Sequence, residues 1–222
     1  IAYEIDPIVP FMGDDRFGAL SPLRRIPVLI DGDVVLCDST VIGEYLDDRY
    51  PAPALRPEAV ADRARARWLE EYADTRMGDV FIWRIFNERV IKPAIWRQPT
   101  DEAVLARATQ EEWPDVLDYL ESQVPEQGFV CGALSMADIA LASFFRNAGF
   151  AGCRVDAERW PRTAGFVARV LGLPGFRKLA PFEELSLRTP PAALRSALAE
   201  AGAPIAADTC STDTPRRGAM TV

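Results

Sequence analysis

The chain has 222 residues and 24.5 kDa, with 25 Lys and Arg against 33 Asp and Glu for a formal net charge of −8, enough for one good core or two modest ones. No basic tract exceeds the pairs Arg24-Arg25 and Arg216-Arg217, and no apolar run approaches the ~20 residues of a membrane span, which argues against nucleic acid and membrane partners and for a soluble, cytoplasmic protein. Histidine is absent, which removes Ser-His-Asp and Cys-His triads and His-containing zinc sites; Cys37, Cys131, Cys153 and Cys210 are scattered without a C-x-x-C pair, so they are read as reduced thiols and no metal site is assigned.

The chain opens at Ile1 without a methionine, directly in a strand-like run over residues 2–5, and is expected to be an N-terminally truncated fragment. A loop containing Pro7, Pro10 and Gly13 follows. Two β-branched runs, 26–30 and 33–36, flank Asp31-Gly32 and predict a tight hairpin, because the favoured turns need a positive φ that Gly and Asp tolerate. Asp38-Ser39-Thr40 then leads into Val41, Ile42, Tyr45 and Leu46, spaced along one helix face. The prolines at 51, 53 and 57 cannot continue that helix and mark a semi-rigid linker.

Beyond the linker the pattern is helical only. Helices are predicted over 58–89, with a bend near Gly78, and over 101–124, 135–149 and 160–172, with a shorter one from Pro174. From about Thr189 the composition turns to Ala, Pro, Ser and Thr, and only Leu194 and Leu198 offer a short amphipathic turn, so this stretch reads as a tail.

Three segments carry the functional argument. Ser135 and Asp138 have the spacing of a capping box, with Leu134 and Ile139 as its hydrophobic staple, which is a folding device worth roughly 1 kcal/mol. Pro27 heads a strand and has no ladder donor; the preceding bond is trans on base rate, but a cis bond would present the N–H and C=O of Ile26 to an extended peptide. Asp38-Ser39 starts a helix, either as an ordinary N-cap or as an anion site in which the helix end and the serine hydroxyl hold a carboxylate while the aspartate holds an ammonium.

The run Leu23-Arg24-Arg25-Ile26-Pro27-Val28-Leu29-Ile30-Asp31-Gly32, then Leu36-Cys37-Asp38-Ser39-Thr40-Val41-Ile42-Gly43-Glu44-Tyr45-Leu46 and Tyr50-Pro51, resembles the thioredoxin-like domain of cytosolic glutathione transferases. Ser135-Met136-Ala137-Asp138-Ile139-Ala140 resembles that family's helical-domain capping motif. The resemblance covers about residues 1–188 and implies an α/β thioredoxin-like domain, incomplete at its start, followed by an all-α helical bundle. The division it implies is a glutathione-binding domain over 1–50, a linker over 51–57, a helical domain over 58–188 and an Ala/Pro-rich tail over 189–222.

The same resemblance implies that glutathione is the co-substrate, conjugated as its thiolate to a small hydrophobic electrophile in a detoxifying reaction by a homodimer. A non-catalytic interaction scaffold or a glutathione-dependent reductase or dehalogenase on this fold is the alternative. Ile26, before a cis Pro27, would pair its backbone with the cysteinyl unit; Asp38 and Ser39 would hold the γ-glutamyl ammonium and carboxylate; Arg25, or equally Arg24, would lie near the glycyl carboxylate. The thiol-activating residue is expected upstream of Ile1, so no catalytic residue is named, and Cys37 is read as a strand-end core thiol. Arg76, Met77, Trp83, Arg84 and Asn87 are candidates for the second substrate, with core packing as the competing role for each.

Overall fold

The computed structural model describes residues 1–218. The chain divides into two compact units, Ile1–Tyr45 with Pro174–Val222, and Leu46–Leu173.

In the first unit the expected opening strand is reduced to a single parallel bridge, Ile5 with Ile205. The loop after it holds a short helix that the sequence pattern did not reveal, α1 (Asp15–Leu20), whose N-cap Asp14 accepts the Phe17 N–H at 3.0 Å. That bond is the main reason the Asp14 carboxyl is held below its ordinary value. Strands β1 (Val28–Asp31) and β2 (Val34–Cys37) pair antiparallel from Asp31↔Val34 to Val28↔Cys37. The turn residues are Gly32 and Asp33, one position later than expected; Gly32 alone has a positive φ, +62°, the pattern of a turn with glycine first. Helix α2 (Ser39–Arg49) is tied to the hairpin by Tyr45, whose hydroxyl donates to Asp31 Oδ2 at 2.8 Å.

The segment read as a tail is structured. After α8 (Pro174–Arg188), helix α9 (Pro191–Glu200) starts with proline in its first turn, where the missing N–H costs nothing, and buries Leu194 and Leu198. With Ala203 they form a small core packed by Ile5, Val9, Phe182, Leu185 and Ile205.

The second unit is all helical: α3 (Val60–Tyr72) with its π-type continuation Ala73–Trp96, α4 (Glu102–Arg107) leading through a π-type turn Ala108–Glu112 into α5 (Trp113–Gln123), then α6 (Met136–Phe150) and α7 (Pro161–Leu171). The first of these runs past the expected stop at Arg89, because burial continues to Ile91. Its core gathers Leu69, Met77, Phe81, Ile85, Leu117, Leu120, Leu141 and Phe166, all nearly without exposure. Phe81 packs on Trp113 and edge-on to Phe145, with ring centroids 4.5 and 5.2 Å apart. The capping box forms: fully buried Asp138 accepts the Ser135 N–H and hydroxyl, each at 2.8 Å, and also the Val130 N–H at 2.9 Å. Burial pushes the Asp138 carboxyl up despite these donors.

Candidate functional site

The last ladder pair, Val28↔Cys37, sets the geometry of the candidate site. One residue further along each strand come Pro27 and Asp38, so Arg25, Ile26, Pro27, Asp38 and Ser39 gather at the end of the hairpin opposite the Gly32 turn. All five are exposed, Ile26 by 51%. The Ile26–Pro27 peptide is cis, and the ladder stops at Val28, so the Ile26 backbone lies outside it.

The two arginines left open by the sequence are separated by their surroundings. Buried Ser21 grips the backbone of Arg25 from both sides: its Oγ donates to the Arg25 carbonyl at 2.9 Å and accepts the Arg25 N–H at 3.0 Å. Arg24, at φ +53°, turns its guanidinium inward, where Nη1 donates to the carbonyls of Gly13 at 2.9 Å and Asp14 at 3.2 Å. The Arg24 charge is thus committed to the protein's own backbone, while Arg25 stays at the surface.

At the helix end, Asp38 rather than Ser39 is the cap. Asp38 Oδ1 accepts the N–H groups of Thr40 at 3.0 Å and Val41 at 3.2 Å, and its backbone adopts φ +81°, which aspartate tolerates better than most residues. This leaves Ser39 in the first position of α2 with its own N–H and hydroxyl at the positive end of the helix, and leaves Asp38 Oδ2 without a protein donor among the described residues.

Cys37 Sγ, half-buried, donates to the Leu20 carbonyl at 3.0 Å, a packing role. Burial pushes the thiols of Cys131, Cys153 and Cys210 up, away from the thiolate a nucleophile needs. Among the second-substrate candidates, Met77 is fully buried in the helical core. Arg84 pairs with Asp79 at 2.7 Å and with Glu112, and Arg76 lies 3.7 Å from Asp79. These three serve the helical unit's own packing and ion pairs, and Trp83 remains exposed.

The profile for "Glutathione S-transferase, N-terminal domain" matches residues 1–54, the segment that contains the hairpin, the cis peptide and the start of α2. A probable maleylacetoacetate isomerase of Vibrio cholerae is 34% identical over 178 residues, covering 75% of this chain and 75% of that protein. The chain belongs to the glutathione S-transferase family. A second relative, glutathione S-transferase theta-3 of Mus musculus, is 31% identical over 159 residues, 70% of this chain. The matched stretch spans 65% of the mouse enzyme's length. The crystal structure of a glutathione S-transferase from Rhodospirillum rubrum F11 superimposes with a TM-score of 0.67 at 27% identity, covering 75% of this chain and 74% of the other. The chain accordingly has a thioredoxin-like N-terminal region followed by a helical domain. Among the described residues no helix is long and apolar enough to cross a membrane.

Sequence reasoning missed Ser21, which pins Arg25, and Arg24 as an inward bolt, and it left undecided which of Asp38 and Ser39 provides the cap. The Asp-Ser pair before an apolar helical pattern signals a cap but not which residue provides it. The Arg24 contact, by contrast, depends on how residues 13 and 14 return to the loop, and no local spacing encodes that.

Proposed function

We propose that this family member binds glutathione at the open end of the hairpin and conjugates its thiolate to a small electrophile. The observation that carries the reading is the convergence, set by the Val28↔Cys37 register, of a backbone strip outside the ladder and an exposed helix N-terminus. An extended peptide would pair with the Ile26 N–H and C=O as an added strand. The γ-glutamyl carboxylate would take the Ser39 N–H and hydroxyl at the positive helix end, and its ammonium would lie against Asp38 Oδ2. The glycyl carboxylate would meet Arg25.

In this mode the tripeptide is held at both charged ends and along its middle, so its sulfur has one fixed position. A free thiol has a pKa near 8.5, so only a few per cent of it is thiolate at neutral pH, and a donor hydroxyl or a helix end beside the sulfur raises that fraction. The thiolate forms a C–S bond with the electrophilic carbon, and the displaced group leaves with the electron pair.

A second reading is a glutathione-dependent cis–trans isomerase. It is favoured by the name of the Vibrio relative, and it uses the same glutathione grip with reversible addition of the thiolate to a double bond. Both readings require retention on immobilised glutathione, released by free glutathione; absence of retention would overturn both. Turnover of a chloronitrobenzene then supports conjugation, and glutathione-dependent isomerisation of a maleyl compound without consumption of the thiol supports the second reading.

A further inference from the structure

Residues 203–218 run back across the N-terminal segment in an ordered series of bonds. Ile5 N–H donates to the Pro204 carbonyl at 2.7 Å, and Ala206 N–H donates to the Ile5 carbonyl at 2.9 Å. The next residue, Asp6, has both carboxylate oxygens engaged. Oδ1 accepts the Thr209 hydroxyl at 2.7 Å and Arg195 Nη1 at 3.2 Å, and Oδ2 accepts the Cys210 N–H at 2.7 Å. Beyond this anchor, Asp14 N–H donates to the Cys210 carbonyl at 2.8 Å, Thr212 N–H to the Met12 carbonyl at 2.7 Å, and Arg216 N–H to the Phe11 carbonyl at 2.7 Å. Arg216 also pairs with Asp15.

These bonds fix the backbone of residues 11–14, and that backbone supplies the two acceptors of Arg24, the carbonyls of Gly13 and Asp14. Arg24 holds a left-handed φ two residues ahead of Ile26. Gly218 lies directly on the same loop: a Cβ there would come within 2.9 Å of the Leu23 carbonyl oxygen, an approach only glycine allows. One continuous set of contacts therefore leads from the end of the described chain to the loop that precedes Pro27.

We propose that residues 203–218 form a strap that holds the 21–27 loop, through the positioning residue Arg24, in the conformation that binds glutathione. The proposal rests on the role assigned to Ile26 under Proposed function. Without the strap, residues 11–14 lose three backbone hydrogen bonds, the Arg24 acceptors are no longer fixed, and Arg25 and Ile26 sample other conformations. The apparent Kd then rises by the inverse of the fraction still competent to bind.

The test compares the full chain with a variant ended after Ala207, which keeps α9 and the Ile5–Ile205 bridge, and with Arg24→Ala, which keeps the strap and removes the bolt. Amide hydrogen exchange over residues 21–27 and calorimetric glutathione affinity are read for each, with Ser39→Ala as the control for the binding site. Both variants are expected to speed exchange at Arg25 and Ile26 and to weaken affinity by at least about ten-fold, and together to do no more than either alone, as coupled sites do. Unchanged exchange and affinity in the shortened chain, with Ser39→Ala still impaired, would overturn the strap and leave the binding site standing. A parent that ignores glutathione would overturn the binding site, and the exchange rates would still decide the strap. If the shortened chain does not melt cooperatively, Arg24→Ala decides: unaltered loop exchange there contradicts the proposal.

Discussion

Val28 stands opposite Cys37, and this pair closes the hairpin ladder at the end where Pro27 and Asp38 emerge. A slip of one residue would send every side chain of β2 to the other face and would move Asp38 and the first turn of α2 away from the Ile26 backbone. The hairpin register is therefore as much a part of the candidate site as the residues that would touch a ligand.

Because Asp38, not Ser39, caps α2, binding and folding should separate at Ser39. Ser39→Ala is expected to weaken glutathione binding by roughly ten- to a hundred-fold, the loss of a hydrogen bond to a charged group worth about 1.5–3 kcal/mol. Its melting temperature should stay within a degree or two of the parent. Calorimetry and a thermal melt on one preparation check both halves.

Two substitutions at Asp38 should divide its tasks. Asp38→Asn keeps a side-chain oxygen for the Thr40 and Val41 N–H groups and tolerates the positive φ, so stability is retained while affinity for the charged amine of glutathione falls. Asp38→Ala loses the cap as well, about 1 kcal/mol of stability, in addition to the affinity. Equal melting temperatures for the two variants would show that the cap is energetically silent.

The hairpin, the start of α2 and the capping box were legible in the sequence because each is written in neighbouring residues: a Gly beside the turn, an Asp-Ser pair ahead of an apolar stripe, Ser135 three residues before Asp138. What was not legible is joined by folding alone. Asp6 meets Cys210 across 204 positions, and Glu121 meets Thr163 across 42. The stretch after Thr189 looked like a tail by composition, yet two leucines at helical spacing sufficed to bury α9 once Ile5, Val9 and Phe182 were beside it. The inward turn of Arg24 depends on the carbonyls of Gly13 and Asp14, whose return to the loop no local pattern announces.

In the helical unit, Asp138 is buried without exposure and satisfies three donors. Asp138→Ala leaves the N–H groups of Ser135 and Val130 without their acceptor and is expected to destabilise by roughly 1–3 kcal/mol for each buried group left unpaired. Denaturant unfolding monitored by the buried tryptophans reads this directly, and a change under about 0.5 kcal/mol would contradict the assigned role.

Glu121 gives the helical unit an acid-sensitive contact. Burial pushes its carboxyl up, but the N–H groups of Thr163 and Arg162 and the Thr163 hydroxyl outweigh that and hold it below its ordinary value of 4.5. A carboxyl that is more acidic in the folded state contributes stability above its unfolded pKa and loses it as pH falls through the folded one. Glu121→Gln should therefore be less stable than the parent at pH 7 and should converge with it as the pH is taken well below 4.5. Parallel stability curves across that range would contradict the assignment.

Where glutathione docks is read most directly by amide chemical shifts followed through a glutathione titration. The largest changes are expected at Ile26 and Ser39, saturating together with one Kd that rises roughly ten- to a hundred-fold in Ser39→Ala. Saturable shifts that spare both residues would contradict it.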